Sequence, residues 1–173
     1  GAGKLFVPKD SYLVSHVDLI GKKYSNIEIF GNHAKILGLI VKKDPKPATY
    51  GRNTAADGIF AFEASVSNQV NDSESIKNIR ITGLNFITDV VNLGFDELSH
   101  HIAAHGVSNF TVEDCSFTGF LGDGIAICRG LHQGEQNNPK PRNAYNKNLS
   151  IKRCKFDGIN RDNRQGISIY HCD

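Results

Sequence analysis

Methionine and tryptophan are both missing from this sequence, and no apolar run is long. The longest, Ile36-Leu-Gly-Leu-Ile-Val, falls far short of the roughly 18 residues needed to span a bilayer. The N-terminus has no positively charged segment leading into an apolar one, so no signal peptide and no membrane anchor are expected. Charge of one sign is missing too: 20 Lys and Arg against 18 Asp and Glu leave a net +2. Such a balance argues neither for a nucleic-acid partner nor for a disordered acidic tail. Cysteine is sparse. Cys115, Cys128, Cys154 and Cys172 form no CxxC pair, and no His stands at zinc-finger spacing, so no metal site is expected and no cofactor is called for. The redox compartment stays open. What is abundant is 17 Gly, 16 Asn and 10 Phe in 173 residues, a composition that favours strands and turns over long helices. One all-β domain over residues 1–173 is the expectation.

An internal repeat sharpens that expectation. Asn78-Ile-Arg-Ile-Thr-Gly-Leu-Asn-Phe, Asn109-Phe-Thr-Val-Glu-Asp-Cys-Ser-Phe and Asn148-Leu-Ser-Ile-Lys-Arg-Cys-Lys-Phe share one pattern, with Asn26-Ile-Glu-Ile-Phe-Gly-Asn-His-Ala as a weaker copy. Their apolar residues fall at period two, which is a strand. A second motif recurs between them, in Asp57-Gly-Ile-Phe-Ala-Phe, His100-His-Ile-Ala-Ala, Asp123-Gly-Ile-Ala-Ile and Gln165-Gly-Ile-Ser-Ile. Each repeat therefore carries about three short strands. Successive copies start 52, 31 and 39 residues apart. That irregularity suits a coil of constant cross-section with loops of varying length, whose like side chains pile up roughly 4.8 Å apart. The pattern predicts a parallel β-helix. In it, the Phe86, Phe117 and Phe156 column is core. Cys115 and Cys154 share an interior column, where parallel side chains point the same way, so they are expected as free thiols. The Asn column is expected to cap the turn into each strand, because Asn tolerates left-handed backbone.

The opening Gly1-Ala-Gly-Lys-Leu-Phe-Val-Pro-Lys-Asp-Ser-Tyr-Leu-Val-Ser resembles the first coil of the pectate-lyase-like right-handed β-helix superfamily. The Asn-led repeat followed by Gly122-Asp-Gly-Ile-Ala-Ile is similar to coils of polygalacturonases and of bacteriophage tailspikes. The resemblance runs nearly the whole length. It implies a right-handed solenoid and a polysaccharide substrate, either capsular, cell-surface or pectin-like. It also implies an extracellular or virion-tail location and a homotrimer of side-by-side chains. Such proteins begin with a capping helix, and neither end of this sequence carries a polar cap. A fragment of a longer chain is therefore expected, or ends protected by neighbouring chains.

Four insertions interrupt the repeat, at 42–56, 64–77, 88–99 and 128–147. The last brings together Arg129, His132, Arg142 and Tyr145, planar and cationic groups suited to acidic sugars, although a solvated proline-rich turn has the same composition. Aligned on its isoleucine, the second motif sets Asp57, His100, Asp123 and Gln165 in one row. Two carboxylates two rises apart, roughly 9.5 Å, suit inverting glycoside hydrolysis, with one as acid and one as base. His100 between them would tune the pair, and Glu97 and Asp162 are reserve carboxylates near the same corner. The bland alternative is ordinary turn chemistry, in which Asp bonds its own backbone and Gly supplies a positive φ.

Polygalacturonase motifs are not reproduced. Only Asp123 matches in part, with Gly124 where a second Asp would stand. No carboxylate cluster suggests a calcium-dependent lyase, and elimination with His100 or His132 as base and Arg129 neutralising a uronate is the weaker chemistry. The expectation is therefore hydrolytic cleavage of a polysaccharide. A non-catalytic glycan-binding adhesin or tail-fibre stalk is the rival from another class.

Overall fold

A computed structural model describes residues 2–39, 58–64, 75–94, 96, 99–128, 146–159 and 165–169. Within them the chain is an all-β protein of thirteen strands. Strands β1 (Gly3–Val7), β2 (Ser11–Val14) and β3 (Val17–Ile20) open it, followed by β4 (Ile27–Gly38) and β5 (Gly58–Glu63). Next come β6 (Ile76–Ile87), the single-turn helix α1 (Val90–Leu93), β7 (His100–His105), β8 (Val107–Glu113), β9 (Ser116–Thr118) and β10 (Ile125–Cys128). Strands β11 (Lys147–Lys152), β12 (Lys155–Asp157) and β13 (Ile167–Ile169) complete the described set.

Every pairing is parallel. One sheet runs β1-β4-β6-β8-β11, with β2 on β4 and β9 joining β6 to β12, and the other runs β3-β5-β7-β10-β13. Five successive passes of the chain thus each contribute first to one sheet and then to the other. The registers reproduce the sequence columns: Ile79 pairs Phe110 and Phe110 pairs Leu149, while Ile81, Val112 and Ile151 follow two residues on. The weaker first copy belongs to the same columns, with Ile27 opposite Ile79 and Ile29 opposite Ile81. Its likeness fades because the register shifts between Phe30 and Ala34, where a bulge adds residues to β4. Opposite that bulge Gly83 has φ +66°, and a Cβ there would sit 2.2 Å from the Gly31 carbonyl oxygen, so glycine is required on both counts.

The core lies between the two sheets. Phe86, Phe117 and Phe156 form a single file, with ring centroids 5.1 and 4.9 Å apart and planes within 7° of parallel. Phe60 meets Phe86 edge-on at 5.4 Å, and Phe62 meets Phe110 at 5.5 Å, tying one sheet to the other. Gly124 and Gly166 let the second sheet start flush against this file. A Cβ on Gly124 would come within 2.8 Å of the Phe156 ring, and one on Gly166 within 2.9 Å. The glycine of the Asp-Gly motif therefore answers to close packing; neither residue is among the glycines with positive φ. That corrects the turn-chemistry expectation for Gly124.

Outside the core, Asn26, Asn78, Asn109 and Asn148 all have φ between 53° and 61°. Each amide nitrogen donates to the carbonyl oxygen of the Asn one pass earlier, at 2.7, 2.8 and 2.9 Å. One column thus supplies both the left-handed turn and a chain of side-chain hydrogen bonds that pins the register.

Candidate functional site

The start of the second sheet gathers three of the titratable groups that the fold buries, His100, His101 and Asp123. Ile102, Ile125 and Ile167 pair in register, so His100, Asp123 and Gln165 occupy equivalent positions on three adjacent strands. His100 and Asp123 are each only 6% exposed. The Asp123 backbone N–H donates to His100 Nδ1 at 2.9 Å, which assigns the proton of the neutral ring to Nε2. That same Nδ1 lies 3.6 Å from Asp123 Oδ2. The carboxylate is itself held from the next pass: Oδ1 accepts the Gln165 N–H at 3.1 Å, and Oδ2 lies 2.7 Å from the Ser168 hydroxyl. Ser168 Oγ is also 2.7 Å from Gln165 Oε1. Its single proton serves one of these acceptors at a time.

At the second pass the isoleucine alignment slips by one. Phe60, not Ile59, pairs with Ile102, and Gly58 stands opposite His100. Asp57 directly precedes that position and lies outside the described residues, as do Glu97, Asp162, Arg129, His132, Arg142 and Tyr145. Of the nine candidates, His100 and Asp123 are the two whose geometry is seen, and they are brought together.

Two further groups join the row from the first pass. His16 Nδ1 lies 2.5 Å from the Gly58 carbonyl oxygen, and its Nε2 is 2.5 Å from Asp18 Oδ1. Sequence reading passed over this second imidazole–carboxylate pair because β3 lacks the Gly-Ile signature that marks the other passes. Pairing of Val17 with Phe60 was the only available signal, and it needs the structure.

His101 was missed as well. It lies opposite Thr88, sharing a hydrogen bond of 2.8 Å through Nε2, with its ring 6.1 Å from both Phe86 and Phe117 and edge-on to Phe120 at 5.9 Å. Its Nδ1 has no hydrogen-bond partner among the described residues, so Nε2 carries the proton. Burial, with a smaller contribution from neighbouring His100, pushes its pKa down to about 3. This ring is a neutral core group, and it makes the fold acid-sensitive. Above pH 6.5 it is neutral folded and unfolded. As pH falls from 6.5 toward 3 only the unfolded chain takes up the proton, so stability is lost over that window at up to about 1.4 kcal/mol per pH unit. In urea unfolding followed at steps between pH 6 and pH 4, His101→Gln is expected to remove that share of the slope. Equal slopes for the two proteins would show that His101 titrates normally.

A separate groove of about 700 Å³ lies on the outer face of the first sheet, lined by Lys4, Asn26, Glu28, Asn78 and Arg80 among others. Lys4 and Glu28 are paired at 2.9 Å, and Arg80 reaches Glu113 at 2.8 Å. The groove is distinct from the His100–Asp123 row. Among the described residues no three His, Cys, Asp or Glu side chains converge closely enough to hold a metal ion, and no helix is long and apolar enough to cross a membrane. Compared with protein-family models, with curated proteins and with solved structures, the chain gives no match, so its function rests on the geometry of these sites.

Proposed function

We propose that this chain is a stretch of right-handed parallel β-helix, of the pectate-lyase-like kind, that binds and hydrolyses a polysaccharide. The observation that carries the reading is the juxtaposition of a buried imidazole and a buried carboxylate, His100 and Asp123, in adjacent passes at one margin of a parallel sheet, joined through the Asp123 N–H. In-register aromatic, amide and isoleucine columns support the coil. Asp123 is one member of an acid–base pair, and Asp57, which directly precedes the position opposite His100, is the other. One carboxyl protonates the glycosidic oxygen as the bond to the anomeric carbon breaks. The other removes a proton from the attacking water, an arrangement that needs the two groups roughly 6.5 to 9.5 Å apart. His100 positions Asp123 by accepting its backbone N–H. Arg129, His132, Arg142 and Tyr145 are the proposed sugar contacts. A capsular, cell-surface or pectin-like substrate, an extracellular or virion-tail location and a homotrimer belong to the same proposal.

A second reading has an observation of its own. Both oxygens of Asp123 are already engaged by the next pass, as they would be in a non-catalytic adhesin or stalk where the carboxylate only clamps successive turns. The two part on products. The full-length protein incubated with capsular and uronate-containing polysaccharides is expected to release reducing ends without ultraviolet-absorbing unsaturated sugars. Unsaturated products would replace hydrolysis by elimination, and binding without any release would favour the stalk.

A further inference from the structure

Cys115 and Cys154 are both free thiols, one buried and one half-buried. They occupy the same column: Glu113 pairs with Lys152 and Ser116 with Lys155 on either side of them, and the Lys155 N–H donates to the Cys115 carbonyl at 3.0 Å. Strands in register set the two Cα atoms about 4.8 Å apart, inside the range of about 4.4 to 6.8 Å that a disulfide spans. Their side chains adopt matching orientations. Each sulfur lies near the carbonyl oxygen two residues back, at 3.2 Å for Cys115 and 3.3 Å for Cys154. Closing a bond between them therefore needs the two side chains to rotate toward each other.

We propose that Cys154 and Cys115 form a dithiol site that exchanges with small-molecule disulfides, Cys154 as the attacking thiol and Cys115 as the resolving one. The Cys154 thiolate attacks one sulfur of a disulfide R–S–S–R, making a mixed disulfide and expelling R–S⁻. That thiolate takes the proton from Cys115. The Cys115 sulfur then attacks the Cys154 sulfur, expelling the second R–S⁻, which takes up the proton that Cys154 gave to solvent on forming its thiolate. Two protein thiols are oxidised to one disulfide while R–S–S–R is reduced to two R–SH, and the electrons balance.

The division of roles follows from position. Cys154 is the half-buried thiol of the two and Cys115 the buried one, so a reagent meets Cys154 first. The same asymmetry acts on acidity. The neighbouring Cys115 thiol draws the Cys154 pKa down to about 7, against its own partial burial and the nearby Asp114 charge. The same contact with Cys154, and burial after it, push the Cys115 thiol up. The proposal concerns residues outside the sugar-cleaving row, so it stands or falls separately from the proposed function.

The test uses oxidised glutathione on the folded protein, followed by alkylation of remaining thiols after unfolding and by peptide mapping, which separates these two cysteines from Cys128 and Cys172. A Cys115–Cys154 cross-link is expected in the parent protein, and glutathione retained on Cys154 in Cys115→Ser. In Cys154→Ser, modification of Cys115 is expected to be at least about tenfold slower than that of Cys154 in the parent. Near-ultraviolet circular dichroism of both variants checks that the fold is kept. Stable glutathione on Cys154 in the parent protein, or no reaction at Cys154 while the protein is folded, would overturn the proposal.

Discussion

Asp123→Asn in the full-length protein is expected to lower oligosaccharide release by about 100-fold or more, while moving the unfolding free energy by less than about 1 kcal/mol. The second half of that statement follows from the hydrogen-bond network. An asparagine oxygen at this position still accepts the Gln165 N–H now bound to Oδ1. Its amide nitrogen can donate to Ser168 Oγ, and the Ser168 proton is then free for Gln165 Oε1, already 2.7 Å away. Every partner stays satisfied, so the substitution removes the ability to take up or release a proton and little else. Asp123→Ala is the contrasting case, because it leaves the Gln165 N–H without its acceptor and destabilises by about 1 to 3 kcal/mol. If Asp123→Asn cleaves polysaccharide at the parent rate, Asp123 is a clamp between passes, and the acid–base assignment fails with it.

The sequence columns were legible because their chemistry repeats at every pass. Asn78, Asn109 and Asn148 recur since each must hold a left-handed turn and hand on an amide hydrogen bond, and the three phenylalanines recur since each ring rests on the last. Residues that answer to one local circumstance left no such trace. The bulge at Gly31 hid the first copy, and the one-residue slip at Ile59 misplaced Asp57 relative to His100. Gly124 looked like a turn glycine because Asp-Gly is common in turns, yet the phenylalanine ring it faces is 32 residues away in sequence. His101 stands beside a more conspicuous His100, and only the packing shows that one ring sits in the core and the other meets a carboxylate. Contacts made between passes are set by loop lengths, and those vary from copy to copy.

Phe117→Ala is expected to cost about 3 to 5 kcal/mol, the upper range for truncating a core aromatic side chain. The ring is wholly buried, stacked on Phe86 on one side and Phe156 on the other, with His101 packed nearby. Removing it opens a void that the neighbours cannot close, because the backbone on either side is fixed by Phe86–Phe117 and Phe117–Phe156 register pairing. Phe156 offers the comparison. Its ring is only half-buried and stacks on one phenylalanine among the described residues, although Gly124 and Gly166 close over part of it. Phe156→Ala should therefore cost less, about 2 to 3 kcal/mol. Where each pass is stabilised mainly by its immediate neighbours, the cost follows the contacts each ring makes: Phe117 stacks on two rings, and Phe156 on one among the described residues. Urea unfolding of the two variants tests the ordering, provided the slope with denaturant stays that of the parent. A Phe117→Ala penalty no larger than that of Phe156→Ala would mean that the rings are held by their own strands and not by one another. The aromatic file would then be a consequence of the register and not one of its causes.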